Sequence, residues 1–277
     1  MGLKTGKKIG LALGSGSARG LAHVGVLKVL ERAGVTPSFI TGTSAGALIG
    51  ALYARGQSAA QIEDLILEQI DWKKMPRLFD LTLPRTGFIA GRRLINLIKQ
   101  IIGGDVDFAD LDIPFACVAT DIDTGYEVVL NRGSVAEAIR ASISIPVIFS
   151  VANHQGRRLV DGSLTTAVPV SLARELGADY VIAVNVLPEK LEALPGSVSK
   201  VAAHRAVHNI FNVILQSIYI TIHQQIEVCL AGADCVIKPD VGYIGSGDFL
   251  RARELFLEGE AAAMAALPEI KHWLAGS

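Results

Sequence analysis

The sequence predicts an α/β fold in which a mainly parallel central sheet is flanked by helices, as one domain over residues 1–277. Three observations predict it. Short β-branched apolar runs alternate with longer helical patterns, the signature of βαβ units. Clusters of small residues at 14–20 and 42–46 stand where a strand gives way to a helix. Half of the 277 residues are apolar and 19% are charged, which suffices for one large core and is too short for several independent domains.

In chain order, "KIGLAL" (8–13) reads as a buried strand, "LAHVGVLKVLERAG" as a helix stopped at Gly34, and "SFITG" as the next strand. "ALIGALYARG" and "AAQIEDLILEQI" read as helices. "PFACVATDIDTGYEVVLNRG" reads as two strands joined by a turn at Asp123, Thr124 and Gly125. "VAEAIRASISI" is a helix stopped by Pro146, "RRLVDG" a short strand, "SLARELG" a helix and "DYVIAVNV" a buried strand. A long helical pattern covers about 200–230, followed by the strand "DCVIKP" and a helix from about Phe249 to Leu267. "PEKLEALPGSVSK" (188–200) reads as an exposed loop, and no internal repeat is visible.

Composition excludes several function classes. Lys and Arg total 26 against 27 for Asp and Glu, so no basic field exists to hold nucleic acid. Cys117, Cys229 and Cys235 are widely spaced without a Cys-x-x-Cys pair, which argues against a disulfide framework or a structural zinc site and fits a reducing, cytoplasmic setting. The first apolar run, Ile9 to Leu13, is too short for a signal peptide and reads as the first strand. Gly2 fails the myristoylation pattern because Gly6 occupies the Ser/Thr position. No window reaches the ~18 uninterrupted apolar residues of a membrane span.

"GTSAG" (42–46) carries the first candidate for chemistry. Gly-x-Ser-x-Gly between strand and helix is the pattern of a nucleophile elbow, whose tight turn lifts a serine oxygen clear of the sheet and needs small neighbours such as Gly42 and Gly46. Alone, the pattern is equally a packed helix start with Ser44 as its cap. "GSGSARG" (14–20) has two readings as well. Gly14, Gly16 and Gly20 approximate a dinucleotide loop, with spacing one residue too long and no acidic residue ending the next strand to bind a ribose. The other reading is an oxyanion hole, in which main-chain amides at a helix start stabilise charge on a carbonyl under attack.

A serine nucleophile needs a base. His23 lies in the first helix, His154 in a polar loop, and His204, His208, His223 and His272 in the C-terminal helical region, none at a strand end. Asp161 does stand at a strand end, with Gly162 permitting a tight turn, although an Asp-Gly pair read alone is usually only a turn.

"LALGSGSARGLAHVGVL", "GTSAG" and "VDG", in that order, resemble the patatin-like phospholipase family, and "ATDIDTG" (119–125) and "ASISIPVIF" (141–149) resemble further family segments. The resemblance spans roughly 8–186 and is loose after about 200, the region to which substrate preference is then assigned. It implies a patatin-like three-layer sandwich with a Ser-Asp dyad: Ser44 as nucleophile and Asp161 as base. The oxyanion hole is assigned to Gly16, Ser17, Ala18 and Arg19, the donors being amides around Gly16 and Ser17 and Arg19 bracing the loop. Gly14, Gly20, Gly42, Gly46 and Gly162 support the motifs. Ser15 and Ser17 depart from the family, which often has glycine there, so both positions must tolerate a Cβ. The implied activity is two-step hydrolysis of lipid acyl esters through an acyl-enzyme, with no cofactor and no metal. A regulatory or adaptor protein that kept the fold is the rival from another class.

Two segments bear on partners. In "MPRLFDLTLPRTGFIAGRR" (75–93) apolar residues alternate with Arg77, Arg85, Arg92 and Arg93, which suits either peripheral contact with an anionic lipid surface or an ordinary cap with solvated arginines, the commoner case. "NIFNVILQSIYITI" (209–222) is apolar on more than one face and is expected to be buried rather than an oligomer contact. Asp121 and Asp123 suit a hairpin turn better than a metal pair. The oligomeric state is not legible.

Overall fold

The computed structural model describes residues 7–69, 91–188 and 210–275. Its strands are β1 (Ile9–Leu13), β2 (Phe39–Thr43), β3 (Phe115–Asp121), β4 (Glu127–Leu130), β5 (Ala152–His154), β6 (Arg157–Asp161), β7 (Tyr180–Val184) and β8 (Cys235–Ile237). They form a sheet of order β5-β6-β3-β2-β1-β7-β8, with β4 paired to β3. Pairings among β3, β2, β1, β7 and β8 are parallel. Those of β3 with β4, β3 with β6, and β5 with β6 are antiparallel. The expected mainly parallel sheet is therefore present.

The helices are α1 (Ala22–Arg32), α2 (Ala45–Ala54), α3 (Ala59–Asp64), α4 (Gly91–Ile102), α5 (Val135–Ser142), α6 (Val170–Glu175), α7 (Ile210–Leu230) and α8 (Ala252–Ala275). They cover both faces of the sheet, as the period-2 alternation of its strands requires. Leu11, Leu13, Ile182 and Val184 pack with α1, α2, α5 and α8 on one face. Ala12, Val181 and Ala183 pack with α6 and the buried stripe Ile222, Ile226 and Leu230 of α7 on the other. Strands buried on both faces explain why β1 and β7 read as unbroken apolar runs.

Four expectations need correction. The C-terminal helix does not stop near Leu267 but runs to Ala275 through Pro268. The lost bond would have gone to the carbonyl of Met264, which is 61% exposed, while Ile270 and Leu274 beyond the proline stay buried in the core. α7 is not buried as expected: Val213, Ile214, Ile220 and Val228 are exposed. His154 lies in the three-residue strand β5 rather than a loop and is buried, with Nδ1 3.6 Å from Glu137. α4, unread in the sequence, follows residue 90. Residues 75–90 and 189–200, the bulk of the arginine-rich segment and of the expected exposed loop, lie outside the described residues. The hairpin reading of Asp121 and Asp123 holds: Asp121 Oδ1 accepts from the Asp123 amide, and Asp123 pairs with Arg158.

Candidate active site

Register alone brings Ser44 and Asp161 together. Val118 of β3 pairs with Thr43 of β2 on one side and Val129 of β4 on the other. The next residue, Ala119, pairs with Asp161 of β6 and with Val128 of β4. Since β4 occupies one edge of β3 continuously, β2 and β6 share the opposite edge. One arrives parallel and the other antiparallel, so their C-terminal ends meet there. Gly162 serves this meeting by close approach: a Cβ there would lie 2.3 Å from the Val118 carbonyl oxygen.

The turn after β2 is strained. Ser44 has φ 54° and ψ −117°, a region that costs a residue with a Cβ about 1–3 kcal/mol and is held only where its surroundings over-determine it. Gly46 lies under the β1 strand end, where a Cβ would stand 2.2 Å from the Leu13 carbonyl oxygen. The Ser44 side chain makes no capping hydrogen bond to α2, so the helix-cap reading fails. Its amide instead donates to Ser142 Oγ at 2.9 Å, at the end of α5.

Asp161 is 2% exposed. Its Oδ1 accepts from the Ser163 amide at 2.9 Å, while Oδ2 is buried without a hydrogen-bond partner among the described residues. Burial pushes the carboxyl up to about 6, against hydrogen bonds from Ser163 that favour the ionised form. The Ser44 hydroxyl is near enough to favour ionisation too, although the pair falls short of a direct hydrogen bond.

The loop after β1 packs onto this turn, since a Cβ on Gly20 would stand 2.3 Å from Ala45 Cβ. Most of its amides are committed. Gly14 donates to the Val184 carbonyl, Ser15 to Ala167, Ala18 to Ser246 at 3.0 Å and Arg19 to Gly16 at 3.1 Å. Ala18 and Arg19, included in the expected oxyanion hole, thus have their amides committed elsewhere, whereas Gly16 and Ser17, the expected donors, have no amide partner among the described residues. Ser17 adopts φ 53° and tolerates its Cβ there. Arg19 is buried and its Nε donates to the Ile244 carbonyl at 2.7 Å, which ties the loop to the segment before α8.

His23 carries a role the sequence did not reveal. Its ring is fully buried, Nε2–H donates to the Gly14 carbonyl at 2.8 Å, and burial pushes its pKa down to about 4. It is a neutral strut under the loop, not a member of the site. Among the described residues no cluster of three metal-ligating side chains occurs, and no helix is long and apolar enough to cross a membrane.

Ser44, Asp161, Gly16 and Ser17 line one cleft, with about 440 Å³ of empty space counting its open mouth. Its other walls are largely apolar, including Ile145, Leu164, Leu187 and, from α7, Leu215, Ile218 and Ile222. It sits at the carboxyl ends of β1 and β2, where connections leave β1 and β7 in opposite directions, the usual ligand position in an open α/β sheet.

The fold is a mainly parallel α/β sheet covered by helices on both faces, and similarity to known proteins gives the family. The patatin-like phospholipase family model matches residues 11–174, so the chain belongs to that family. An uncharacterised NTE family protein of Mycobacterium tuberculosis is 34% identical over 185 residues, covering 65% of this chain and 49% of the relative. Neuropathy target esterase sws of Drosophila melanogaster is 36% identical over 189 residues, 66% of this chain and 13% of the relative. The human patatin-like phospholipase domain-containing protein 6 is 37% identical over 189 residues, 66% of this chain and 14% of the relative. The matched region thus spans half or less of these relatives' length. Among solved structures, VipD from Legionella pneumophila shares the fold, with a TM-score of 0.61, 12% identity, and coverage of 95% of this chain and 67% of that one.

Proposed function

We propose that the chain is a serine lipid acyl hydrolase of phospholipase A or lysophospholipase type, in which Ser44 is the nucleophile and Asp161 its base. The observation that carries this reading is the placement of a strained serine, a buried carboxyl near pKa 6 and two unspent amides in one apolar cleft. An ordinary carboxylate of pKa ~3.9 is a poor base toward an alcohol, and raising it toward the working pH improves the proton transfer.

In the first step Asp161 takes the Ser44 proton as Oγ attacks the ester carbonyl carbon. The carbonyl π electrons move onto oxygen, which the Gly16 and Ser17 amides stabilise. Collapse expels the alcohol, which leaves with the proton from Asp161. In the second step Asp161 takes a proton from water as the water oxygen attacks the acyl carbon; the bond to Ser44 Oγ then breaks, Oγ takes that proton back from Asp161, and the fatty acid leaves. The apolar walls from α7 and residues 145–187 suit an acyl chain rather than a sugar or a peptide. The phospholipase and esterase names of the relatives agree with that class. The arginine-rich segment 75–93 is proposed as a peripheral contact with a lipid surface.

A fluorophosphonate probe tests the reading, combined with hydrolysis of phospholipid and lysophospholipid dispersions. The expected result is a single covalent adduct on Ser44 and fatty-acid release that Ser44→Ala abolishes. Absence of both from folded protein would favour the adaptor reading.

A further inference from the structure

α5 ends beside both halves of the proposed dyad. Ser142 Oγ accepts the Ser44 amide, and the Ser144 carbonyl accepts the Asp161 amide at 2.9 Å. On the same helix stands Arg140, 3% exposed, with both terminal nitrogens engaged. Nη1 donates to Ser144 Oγ, and Nη2 donates to the Ser150 carbonyl at 2.8 Å and to Ser150 Oγ at 3.1 Å. Ser144 Oγ returns a bond to the Arg140 carbonyl at 2.7 Å, and Phe149 lies under the guanidinium at 5.8 Å. No carboxylate pairs with Arg140 among the described residues, and burial alone pushes its pKa down to about 10. A buried cation without a counter-ion is costly, and stability alone gives no reason to keep one.

The loop it grips is itself strained and belongs to the cleft. Val147 has φ 74°, an outlier for a β-branched residue, and Ile145 and Pro146 line the cleft beside Ser44. Strain of this kind persists only where the ends of a segment are fixed. Gripping Ser144 and Ser150 fixes both ends.

We propose that Arg140 is a positioning residue for the dyad: its guanidinium clamps both ends of the loop Ser144–Ser150 and so fixes the Ser144 carbonyl that holds the Asp161 main chain. This rests on the Ser44–Asp161 reading. Lysine cannot replace it, because one ammonium lacks the planar fork that reaches both serines.

The test compares Arg140→Lys and Arg140→Met with wild type and with Ile139→Val, a buried neighbour on the same helix outside the clamp. Turnover of a soluble short-chain ester and the carboxyl titration of Asp161, followed by 13C NMR, are measured on each folded variant. Arg140→Lys is expected to lower kcat about 10-fold or more with KM within about 3-fold, because loss of positioning falls on the chemical step. The Asp161 midpoint is expected to fall by about one pH unit as water reaches the loosened carboxyl. Arg140→Met should do more, and Ile139→Val neither, even at matched thermal stability. A folded Arg140→Lys or Arg140→Met with the wild-type Asp161 midpoint overturns the inference, as does a kcat loss no larger than that of Ile139→Val. The titration needs no turnover, so it decides the inference even if the hydrolase reading fails. That reading fails separately if Ser44→Ala keeps wild-type turnover.

Discussion

His23 lies under the loop after β1 and Asp161 lines the cleft, and burial acts on these two titratable side chains in opposite senses. Each is enclosed almost completely, and in each the loss of water penalises the charged form. The histidine is pushed down to about 4 and the aspartic acid up to about 6. At neutral pH His23 is therefore locked neutral and serves as a hydrogen-bond strut for Gly14, while Asp161 is ionised within reach of its midpoint. The same physical force makes one a fixed part and suits the other to the base role proposed for it. The choice between them as partner of Ser44 follows from their surroundings rather than from the usual preference for histidine.

The largest expected effect removes one side of the comparison. Ser44→Ala and Asp161→Asn should each lower ester turnover by about 10³-fold or more, and no histidine variant that folds should match them. Next comes the loop that His23 supports. Gly16→Val should cost about 10²–10³-fold in kcat, the loss seen when one oxyanion donor is misplaced. A Cβ there would already stand 2.4 Å from Val186 Cγ2, so the loop or Val186 must shift, and the two further methyls of valine add to the crowding. Thermal unfolding of the same variant checks that it is folded.

Stability sharpens the contrast further. The folded pKa of Asp161, about 6, lies above its unfolded value of ~3.9, so the stability it contributes is fully present below the unfolded value and is lost as pH rises through 6. Asp161→Asn should then be more stable than wild type by on the order of 3 kcal/mol at pH 8, since each pH unit between the folded and unfolded values is worth about 1.36 kcal/mol. The gain should shrink as pH falls through 6 and vanish near 4. Chemical denaturation at three pH values measures it, and a gain independent of pH would contradict a folded-state value near 6. His23→Phe, which keeps the volume and removes the donor, should lower kcat about 10-fold with the acid limb of the pH profile unmoved. The smallest effect is Ser17→Gly, expected to retain most activity, because an amide rather than the side chain is used and glycine accepts φ 53° without strain.

How much of the fold and site is legible in the sequence follows the range of the interactions. The loop 14–20 and the elbow 42–46 are local devices, glycine and serine at a strand end, and their residues can be named directly. Asp161 can be named as a strand-end carboxylate, but its meeting with Ser44 depends on both strands pairing with Val118 and Ala119, which no local pattern encodes. That the Ala18 amide is committed is invisible locally, because its partner is the carbonyl of Ser246, more than 200 residues away in the chain. Arg140, Ser142 and His23 sit on helices at positions that read as ordinary amphipathic pattern, and their roles appear only once a neighbouring strand end is in place. β5 is three residues long and offers too short a run for alternation to register. α7 reads as buried because it is apolar nearly all round, yet only one stripe meets the sheet.

The most direct test of Asp161 as the base for Ser44 is the pH dependence of Ser44 phosphonylation by a fluorophosphonate, measured in wild type and in Asp161→Asn. The account predicts that the wild-type rate rises through one ionisation near pH 6, because the carboxyl must lose its proton before it can accept one from Ser44. In Asp161→Asn the rate should be slow and should lose that ionisation. A midpoint near 6 that survives in Asp161→Asn, or an adduct on a residue other than Ser44, would contradict it.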